Sequence, residues 1–353
     1  KGHAVTVFES LPQAGGMLRV GIPAYRLPRD VLDQEIAEVE RVGVTIRTNA
    51  PVNSLEELRG QGFEAIFLAV GAHRGQRTGA DGEEGVVTEA VTLLRQVALG
   101  EEVSVGQRVA VIGGGNAAID AARTALRLGA SEVTILYRRT RQEMPALDEE
   151  VDEAEGEGVG LVLLVAPTKM WREDGAIKLE LQRMKLGDMD ASGRRRPVPV
   201  EGSEFVRDFD TVVAAVGQAV QLPSGIDIPT AGGNTLSVEE DTLATPVSGV
   251  FAGGDCVTGP ATVIESIAQG RTAAIAIDRY LGGDGDISEV LLDPEAGAEA
   301  TVPVDEGEHL RVPIPMAEGA HHTGFAACEL GYSPEMALDE SQRCLNCDLE
   351  RGD

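Results

Sequence analysis

The stretch from Arg108 to Arg139 constrains the fold of this chain more than any other. A β-branched apolar run, 109–112, leads into three consecutive glycines from Gly113 to Gly115. A helical pattern follows, ends at Gly129, and is succeeded by a second apolar run, 133–137. The order strand, glycine turn, helix and strand predicts half of a dinucleotide-binding fold, and the alternative is a purely structural strand-turn-helix.

Each small residue of this turn has a distinct steric role in such a fold. Gly113 permits the tight turn, Gly115 lets the backbone approach a pyrophosphate, and Ala118 occupies the small third position of G-x-G-x-x-G/A. The free N–H groups and the dipole at the start of the helix then favour an anion.

Arginines at the end of the second strand indicate which dinucleotide is bound. NAD sites usually place an acid there for the ribose hydroxyls, whereas NADP sites place arginine to pair with the 2′-phosphate. This chain has Arg138 and Arg139, with Arg141 close behind. The pattern favours NADP(H), and the alternative is a solvated basic patch at a strand end.

Length and composition limit the remaining possibilities. The 353 residues are enough for about two domains. With neither a long apolar run nor an apolar leader, we expect a soluble, cytoplasmic chain. The net charge of −28 argues against binding to nucleic acid, because such binding relies on neutralising phosphate with lysine and arginine. Four cysteines in such a chain argue against a disulfide framework.

A repeated strand ending indicates how the units are connected. The apolar run 63–68 ends in Ala69-Val70-Gly71, and the run 209–214 ends in Ala215-Val216-Gly217. The repeat suggests two nucleotide-binding units, the second inserted into the first, although two buried strands could also resemble each other by coincidence. The strand ending at Glu9 suits the second strand of the first unit, whose glycine fingerprint we expect upstream of Lys1.

Other segments give weaker signals. We expect residues 10–28 to be irregular, residues near 73–105 to be a linker, and a polar helix over 145–157. Residues 168–208 suit a small antiparallel meander. A short strand ends at Asp255, which suits a ribityl hydroxyl or a phosphate-side water, or else caps the helix predicted from Ala261 to Leu281. The residues after Gly282 are acidic and proline-rich, as in a linker or surface tail.

Taken together, these stretches resemble the glutamate synthase small subunit and its relatives. Those relatives include the flavin-binding part of dihydropyrimidine dehydrogenase and NADH-dependent ferredoxin:NADP oxidoreductase. The matching motifs are VTVFES, GGMLRVGIPAYRLP, FLAVGA, VAVIGGGNAAIDAARTALRLGASEVTILYRR and GVFAGGDCVTGPATVIESIAQGRTAA. They occur in the family's order over residues 3 to 283.

The resemblance implies an α/β fold with two Rossmann-like dinucleotide-binding domains, the NADP domain inserted into the FAD domain, and an irregular C-terminal tail. The domains would be 1–85 and 218–283 for FAD, 86–217 for NADP(H), and 284–353 for the tail. By matched motif position, the FAD site would contain Glu9, Gly15, Gly16, Met17, Arg26, Val52, Gly254, Asp255, Ala261, Thr262 and Val263. The NADP(H) site would contain Gly113, Gly114, Gly115, Asn116, Ala117, Arg138, Arg139, Ala215, Val216 and Gly217.

The same resemblance implies the chemistry. Hydride would pass from nicotinamide to flavin, and electrons would leave through iron–sulfur clusters to a redox partner, such as a glutamate synthase large subunit or a ferredoxin-like protein. Because the two cofactors carry the reaction, we assign no side-chain acid, base or nucleophile. The alternative is a non-catalytic flavoprotein fold that acts as a scaffold and docks a redox partner.

The C-terminal cysteines resemble the opening of the family's cluster-binding helical domain. Cys344 and Cys347 form a C-x-x-C pair after a short helical stretch, 334–345, whereas Cys328 stands where the family usually has an aliphatic residue. A [4Fe–4S] cluster usually needs four thiolates. Cluster ligation, zinc or a redox dithiol, and two unpaired thiols at a helix end therefore all remain open.

Overall fold

The structure is a computed structural model that describes residues 1–190, 193–232, 235–288, 310–317 and 324–343. The described residues form two α/β units built on parallel strands. The elements before the inserted unit are β1 (Thr6–Phe8), α1 (Gly16–Val20), α2 (Arg29–Arg41), β2 (Thr45–Arg47), α3 (Leu55–Gly60), β3 (Ile66–Leu68) and β4 (Arg74–Gly75).

The inserted unit contains most of the regular structure. Its elements are β5 (Val87–Glu89), α4 (Ala90–Ala98), β6 (Arg108–Ile112), α5 (Asn116–Arg127), β7 (Glu132–Tyr137), a 3₁₀ turn (Arg141–Glu143), α6 (Asp148–Gly156), β8 (Gly160–Leu163), β9 (Val165–Glu173), β10 (Ala176–Met189), β11 (Arg195–Pro199), β12 (Phe205–Phe209) and β13 (Thr211–Ala214). The chain continues with β14 (Gln218–Ala219), β15 (Val250–Ala252), α7 (Asp255–Thr258), α8 (Val263–Tyr280) and α9 (Pro334–Ser341).

Strand pairing confirms that the second unit is inserted into the first. β3 pairs in parallel with β15, with Ile66 opposite Val250. These two strands are neighbours in the sheet, but the whole inserted unit lies between them in the sequence. The two chain segments that enter and leave that unit also pair, as β4 and β14, in antiparallel orientation. The A-V-G segments at 69–71 and 215–217 follow β3 and β13, as the repeat predicts.

A five-stranded parallel sheet organises the inserted unit, in the order β5-β13-β6-β7-β8. Alternate residues of its strands enter two different cores, because successive side chains of a strand point to opposite faces. Val109 and Val111 of β6 pack with α4, α5 and α6, whereas Ala110 and Ile112 pack against β9, β10 and β12. Both faces of the sheet are therefore covered, which explains its unbroken apolar strands.

The second face is covered by the antiparallel meander expected from the sequence. β10 pairs with β9, β11 and β12, and its residues Ile177, Leu179 and Leu181 enter the core while the alternate positions are more exposed. The period of two in the sequence thus corresponds to a sheet with one covered face.

The first unit consists of two separate parallel pairs, β1 with β2 and β3 with β15. Its core contains Leu55 and Leu58 of α3 and the strand residues Ile66, Leu68 and Val250.

Three expectations about local structure were wrong. Residues 10–28 contain the helix α1, the polar helix expected from Pro145 begins at Asp148, and the stretch expected to be a linker, 73–105, supplies β5 and α4. β5 is stabilised by pairing with β13, more than 120 residues later, so no local pattern could reveal it.

The described part of the tail packs on both units. The backbone N–H of Ala317 donates to the carbonyl of Cys328, at 2.8 Å, and the N–H of Cys328 donates to the carbonyl of Tyr25, at 2.9 Å. The rings of Tyr25 and Phe325 lie 6.4 Å apart. Within the described residues, no helix has the length and apolarity needed to span a bilayer.

Candidate dinucleotide sites

The glycine turn after β6 fits tightly between two neighbouring strand ends. A Cβ at Gly113, whose φ is +149°, would lie 2.3 Å from the carbonyl oxygen of Ala215. A Cβ at Gly114 would lie 2.6 Å from the ring of Tyr137, at the end of β7. A Cβ at Gly115 would instead have nothing described within 4 Å. The first two glycines are therefore required by packing, and the third leaves open space where a ligand can approach.

The start of α5 faces this open space with uncapped N–H groups. Gly115 is the N-cap residue and supplies no side-chain hydrogen bond, and the first turn carries no acid. Asn116, the first helical residue, donates from its amide to Glu150 at 3.4 Å, and Ala117 follows. Because the first N–H groups of a helix have no intrahelical partner, this end can bind an anion.

Ala215, Val216 and Gly217 lie beside the glycine turn, as expected. The N–H of Ala215 donates to the carbonyl of Ile112 at 2.8 Å, which holds the exit of β13 against the exit of β6. Gly217 has a φ of +127°, and its carbonyl accepts from the N–H of Gln76 at 2.9 Å. The structure thus brings this segment and the glycine turn together at one edge of the sheet.

The arginines after β7 have different environments. Arg138 is exposed. Arg139 is only 4 % exposed, and its guanidinium donates to the carbonyl of Arg195 at 2.8 Å and to Asp190 at 2.7 Å. Arg141 pairs with acids of α6, including Asp152 at 2.5 Å. Arg138 forms no ion pair with any residue that the structure describes.

The residues expected near FAD in the first half of the chain lie around β1 and α1. The carboxylate of Glu9 accepts from the N–H of Leu11 at 2.8 Å, which fixes it at the end of β1. Gly15 and Gly16 have positive φ values of +119° and +51°, and they lead into Met17 of α1. Val52 packs on the core of the first unit.

Arg26 was expected near FAD, and the structure places its guanidinium against the inserted unit. It donates to both carboxylate oxygens of Asp120 on α5, at 2.9 Å each, and to Glu150 on α6. Both acids are buried. Burial raises the pKa of Asp120 to about 6, although Arg26 acts in the opposite direction. The second oxygen of Glu150 is buried and has no hydrogen-bond partner among the described residues.

The second half of the expected FAD site is held together by its own hydrogen bonds. The N–H of Gly254 donates to Gln269 at 2.6 Å. The carboxylate of Asp255 accepts from the N–H of Ala261 at 3.2 Å, and burial raises the pKa of Asp255. Asp255 therefore supports the turn that precedes α8.

The helix expected from Ala261 begins at Val263, because Thr262 is its N-cap residue. Thr262 and Glu265 form a capping box, in which the Thr262 hydroxyl accepts from the N–H of Glu265 at 3.3 Å and Glu265 accepts from the N–H of Thr262 at 2.9 Å. The T-x-x-E spacing was visible in the sequence and could have located this boundary.

His73 is a candidate site residue that no sequence motif indicates. Its ring atoms lie 3.3 Å from the position of a Cβ on Gly71, so it packs against the exit of β3. Burial lowers the pKa of His73, the carboxylates of Glu9 and Asp255 act to raise it, and Arg95 acts to lower it. Because no motif spacing marks this position, only the structure places it near both acids.

The cysteines give no defined metal centre within the described residues. Cys344 and Cys347, the predicted metal ligands, lie outside those residues. Cys328 is buried, and its Sγ accepts from Arg127 at 3.4 Å. The Sγ of Cys256 lies 3.3 Å from the carbonyl oxygen of Leu68, and burial raises the pKa of this thiol. In the part of the chain that the structure describes, no cluster of histidine, cysteine or acidic side chains has a metal-binding arrangement.

The inserted parallel sheet, the glycine turn at a strand exit and the uncapped helix define a protein of the dinucleotide-binding class. Residues 31–270 match the profile of the pyridine nucleotide-disulphide oxidoreductases, and the chain belongs to this family. The resemblance to the glutamate synthase small subunit is confirmed, since the chain is 35 % identical over 300 residues to the glutamate synthase (NADPH) small chain of Azospirillum brasilense. That match covers 79 % of this chain and 62 % of the relative.

Two other relatives match almost the whole chain. The chain is 45 % identical over 368 residues to the NADP(+)-dependent formate dehydrogenase subunit beta of Moorella thermoacetica, which covers 98 % of this chain and 51 % of that protein. It is 38 % identical over 391 residues to the NADPH-Fe(3+) oxidoreductase subunit beta of Geobacter sulfurreducens, covering 98 % of this chain and 58 % of that protein. The chain thus spans about half the length of these relatives.

Solved structures support the fold. FprA of Mycobacterium tuberculosis in complex with NADPH has a TM-score of 0.67 at 20 % identity, covering 79 % of this chain and 78 % of that chain. Thioredoxin reductase of T. acidophilum has a TM-score of 0.56 at 18 % identity, covering 79 % of this chain and 90 % of that chain. Both likenesses concern the fold alone.

Proposed function

We propose that this chain is the dinucleotide-binding part of an NADPH-dependent flavin oxidoreductase subunit. The inserted unit binds NADP(H), the first unit binds FAD, and electrons pass to a redox partner. The observation that carries the proposal is the glycine turn. Its first two glycines have no room for a side chain beside Ala215 and Tyr137, whereas the third lies next to open space at the uncapped start of α5.

The domain boundaries in this proposal are those expected from the sequence. Residues 1–85 and 218–283 form the FAD domain, residues 86–217 form the NADP(H) domain, and residues 284–353 form the tail. The pairing of β3 with β15 and of β4 with β14 supports these limits, because both pairs join segments on either side of the inserted unit.

In the inserted unit, the proposed role of each residue follows from its position along the edge of the parallel sheet. The N–H groups at the start of α5 bind the pyrophosphate, and Arg138 binds the 2′-phosphate. Asn116 and Ala117 form the floor of the site, and Ala215 to Gly217 border it from β13. The positive φ of Gly217 and the contact of Gly113 with Ala215 support this arrangement.

In the first unit, Glu9 is placed to accept hydrogen bonds from a ribose, because its carboxylate lies at the end of a parallel strand. The capping box occupies the N–H of Glu265, so the N–H groups of Val263 and Ile264 remain available at the start of α8. The remaining FAD contacts are proposed at Gly15, Gly16, Met17, Val52, Gly254, Asp255, Ala261 and Thr262.

When bound, the two cofactors supply hydride transfer from nicotinamide to flavin. The residues of this chain bind and orient them, and no side-chain acid or base is assigned. The start of α8 carries partial positive charge, which stabilises an anion nearby. Arg26 joins the loop after α1 to α5 and α6, so it fixes the first unit relative to the nicotinamide unit.

The redox partner is proposed from the relatives, whose names describe beta subunits and a small chain of larger enzymes. A glutamate synthase large subunit, a ferredoxin-like protein or another iron–sulfur protein fits this role. The cluster at Cys344 and Cys347, the upstream glycine fingerprint and the cytoplasmic location remain predictions.

An anaerobic titration tests the proposal. The protein, reconstituted with FAD, is titrated with NADPH and with NADH while the visible flavin absorbance is recorded. We expect NADPH to bleach the flavin at lower concentration than NADH. A matched variant, Gly115→Asp, places a carboxylate at the phosphate site and should prevent bleaching by both. Bound flavin that neither nucleotide bleaches would contradict the proposal. Failure to bind flavin in a protein that includes the expected upstream glycine fingerprint would favour the scaffold alternative.

A further inference from the structure

Two neighbouring arginines at the end of β7 have different structural roles. Arg138 is exposed, whereas Arg139 is buried. The Nε of Arg139 donates to the carbonyl of Arg195 at 2.8 Å, and its Nη2 donates to Asp190 at 2.7 Å. Both bonds join β7 to the hairpin of β10 and β11, so this guanidinium is committed to protein groups and is turned away from solvent.

The hairpin held by Arg139 carries three consecutive arginines. Met189 of β10 pairs with Arg195 of β11, and the N–H of Asp190 donates to the carbonyl of Arg194 at 2.8 Å. Arg195 and Arg196 are exposed, and neither forms an ion pair with any residue in the described ranges. The charges of these two residues are therefore available to a ligand.

The hairpin and the glycine turn lie at the same end of the parallel sheet. β7 is the hydrogen-bonded neighbour of β6, so Arg138 follows one strand and the glycine turn follows the next, about 5 Å away. Since Arg139 is adjacent to Arg138 in sequence and its guanidinium contacts the backbone of Arg195, the hairpin is held at the end of the sheet where Arg138 lies. A chain with a net charge of −28 repels phosphate at long range, so a local concentration of arginine favours binding of a phosphate at this position.

We propose that Arg138, Arg195 and Arg196 form one recognition surface for a ribose 2′-phosphate, and that Arg139 is a positioning residue that holds the hairpin in place. This inference rests on the proposed function and deepens it. The sequence alone suggests that Arg138 and Arg139 both contact the phosphate. In the structure, the guanidinium of Arg139 is bonded to the hairpin, so the proposed surface combines two segments separated by more than 50 residues, and Arg139 is proposed to act through the hairpin.

The phosphate surface is tested by calorimetry with two probes, 2′,5′-ADP and 5′-AMP, which differ in the 2′-phosphate. The 353-residue chain is used, so the result does not depend on flavin. We expect the double variant Arg195→Ala/Arg196→Ala to weaken 2′,5′-ADP binding about tenfold and to leave 5′-AMP binding unchanged, because guanidinium–phosphate contacts are charge-assisted. The control, Arg172→Ala/Arg207→Ala, removes the same charge from β9 and β12 and should change neither affinity.

The positioning role of Arg139 is tested by non-additivity. Arg139→Ala should weaken 2′,5′-ADP binding about as much as the double variant, and adding it to the double variant should cause little further loss. Arg139→Lys, which can keep the contact with Asp190, should restore part of the affinity. Fluorescence of Trp171, the single tryptophan, verifies that each variant is folded. An additive loss in the triple variant would show that Arg139 contacts the phosphate directly and would overturn its positioning role.

The remaining outcomes separate this inference from the proposed function. If the wild-type chain prefers 2′,5′-ADP and the hairpin double variant keeps that preference in full, the hairpin surface is refuted while NADP binding stands. If the wild-type chain does not prefer 2′,5′-ADP, both the hairpin surface and the proposed NADP preference are refuted.

Discussion

Glu157, at the end of α6, offers the sharpest test of how the inserted unit is held together. Its carboxylate accepts from Arg123 at 2.7 Å and from Arg127 at 2.6 and 2.8 Å. The side chains of all three residues are at most 3 % exposed. The two guanidinium groups also contact the ring of Tyr25, with their Cζ atoms 4.9 and 3.9 Å from its centroid. Removing the carboxylate therefore leaves buried positive charge.

The magnitude follows from the pKa of Glu157. Burial alone would raise this pKa, but hydrogen bonds from Arg127 and Arg123 lower it from 4.5 to about 2. At about 1.4 kcal/mol for each pKa unit, the ionised carboxylate contributes about 3 kcal/mol to stability at neutral pH. Because the folded-state pKa is depressed, this contribution is complete above the ordinary pKa of 4.5 and is lost as the pH falls toward 2.

We predict that Glu157→Gln lowers the free energy of unfolding by about 3 kcal/mol at neutral pH, within the range for breaking a buried ion pair. Urea unfolding followed by Trp171 fluorescence measures it, since Trp171 lies in β9 of the same unit. The control Glu155→Gln removes an exposed acid of α6 and should cost less than about 1 kcal/mol. The difference between wild type and Glu157→Gln should shrink as the pH falls below 4.5. Equal stability of the two variants at neutral pH would refute the argument.

Two further changes test the local geometry of the sites. Gly113→Ala should lower the free energy of unfolding by about 2 kcal/mol or more, because its Cβ would lie 2.3 Å from the carbonyl oxygen of Ala215. Urea unfolding measures this loss, and Gly129→Ala is the control at another glycine of positive φ, +97°, where the added Cβ would meet open space. Thr262→Ala should remove the capping box and cost about 1 kcal/mol. Faster amide hydrogen exchange in the first turn of α8, with the rest of the helix unchanged, would confirm it, and unchanged exchange there would contradict it.

The inserted unit could be predicted from the sequence because its signals are local. The apolar run of β6, the glycines, the helical period of α5 and the run of β7 lie within one stretch of about 30 residues, and each local preference agrees with the final fold. The capping box at Thr262 and Glu265 was equally local, so the start of α8 was predictable in principle.

The partners of individual side chains were not predictable, because they come from distant parts of the chain. Arg26 contacts Asp120 and Glu150, which lie 94 and 124 residues further along. The guanidinium of Arg139 contacts Arg195, 56 residues later. A motif position specifies which residue type occurs near a ligand, but burial and competing carboxylates decide whether its charge is available, and both depend on tertiary packing.

Arg26 joins the two units through buried ion pairs. Burying these charges costs stability, and this cost bears on the role of the contact. Asp120 and Glu150 are both buried against the single guanidinium of Arg26. Because burial raises the pKa of Asp120 to about 6, its ionisation at neutral pH reduces stability, and an apolar contact of the same size would stabilise the fold more. Asp120 lies four residues after Asn116, on the same side of α5, one turn from the proposed pyrophosphate site. We infer that this fixed set of buried charges sets the orientation of the first unit relative to the proposed nucleotide site, as the proposed hydride transfer between two cofactors requires.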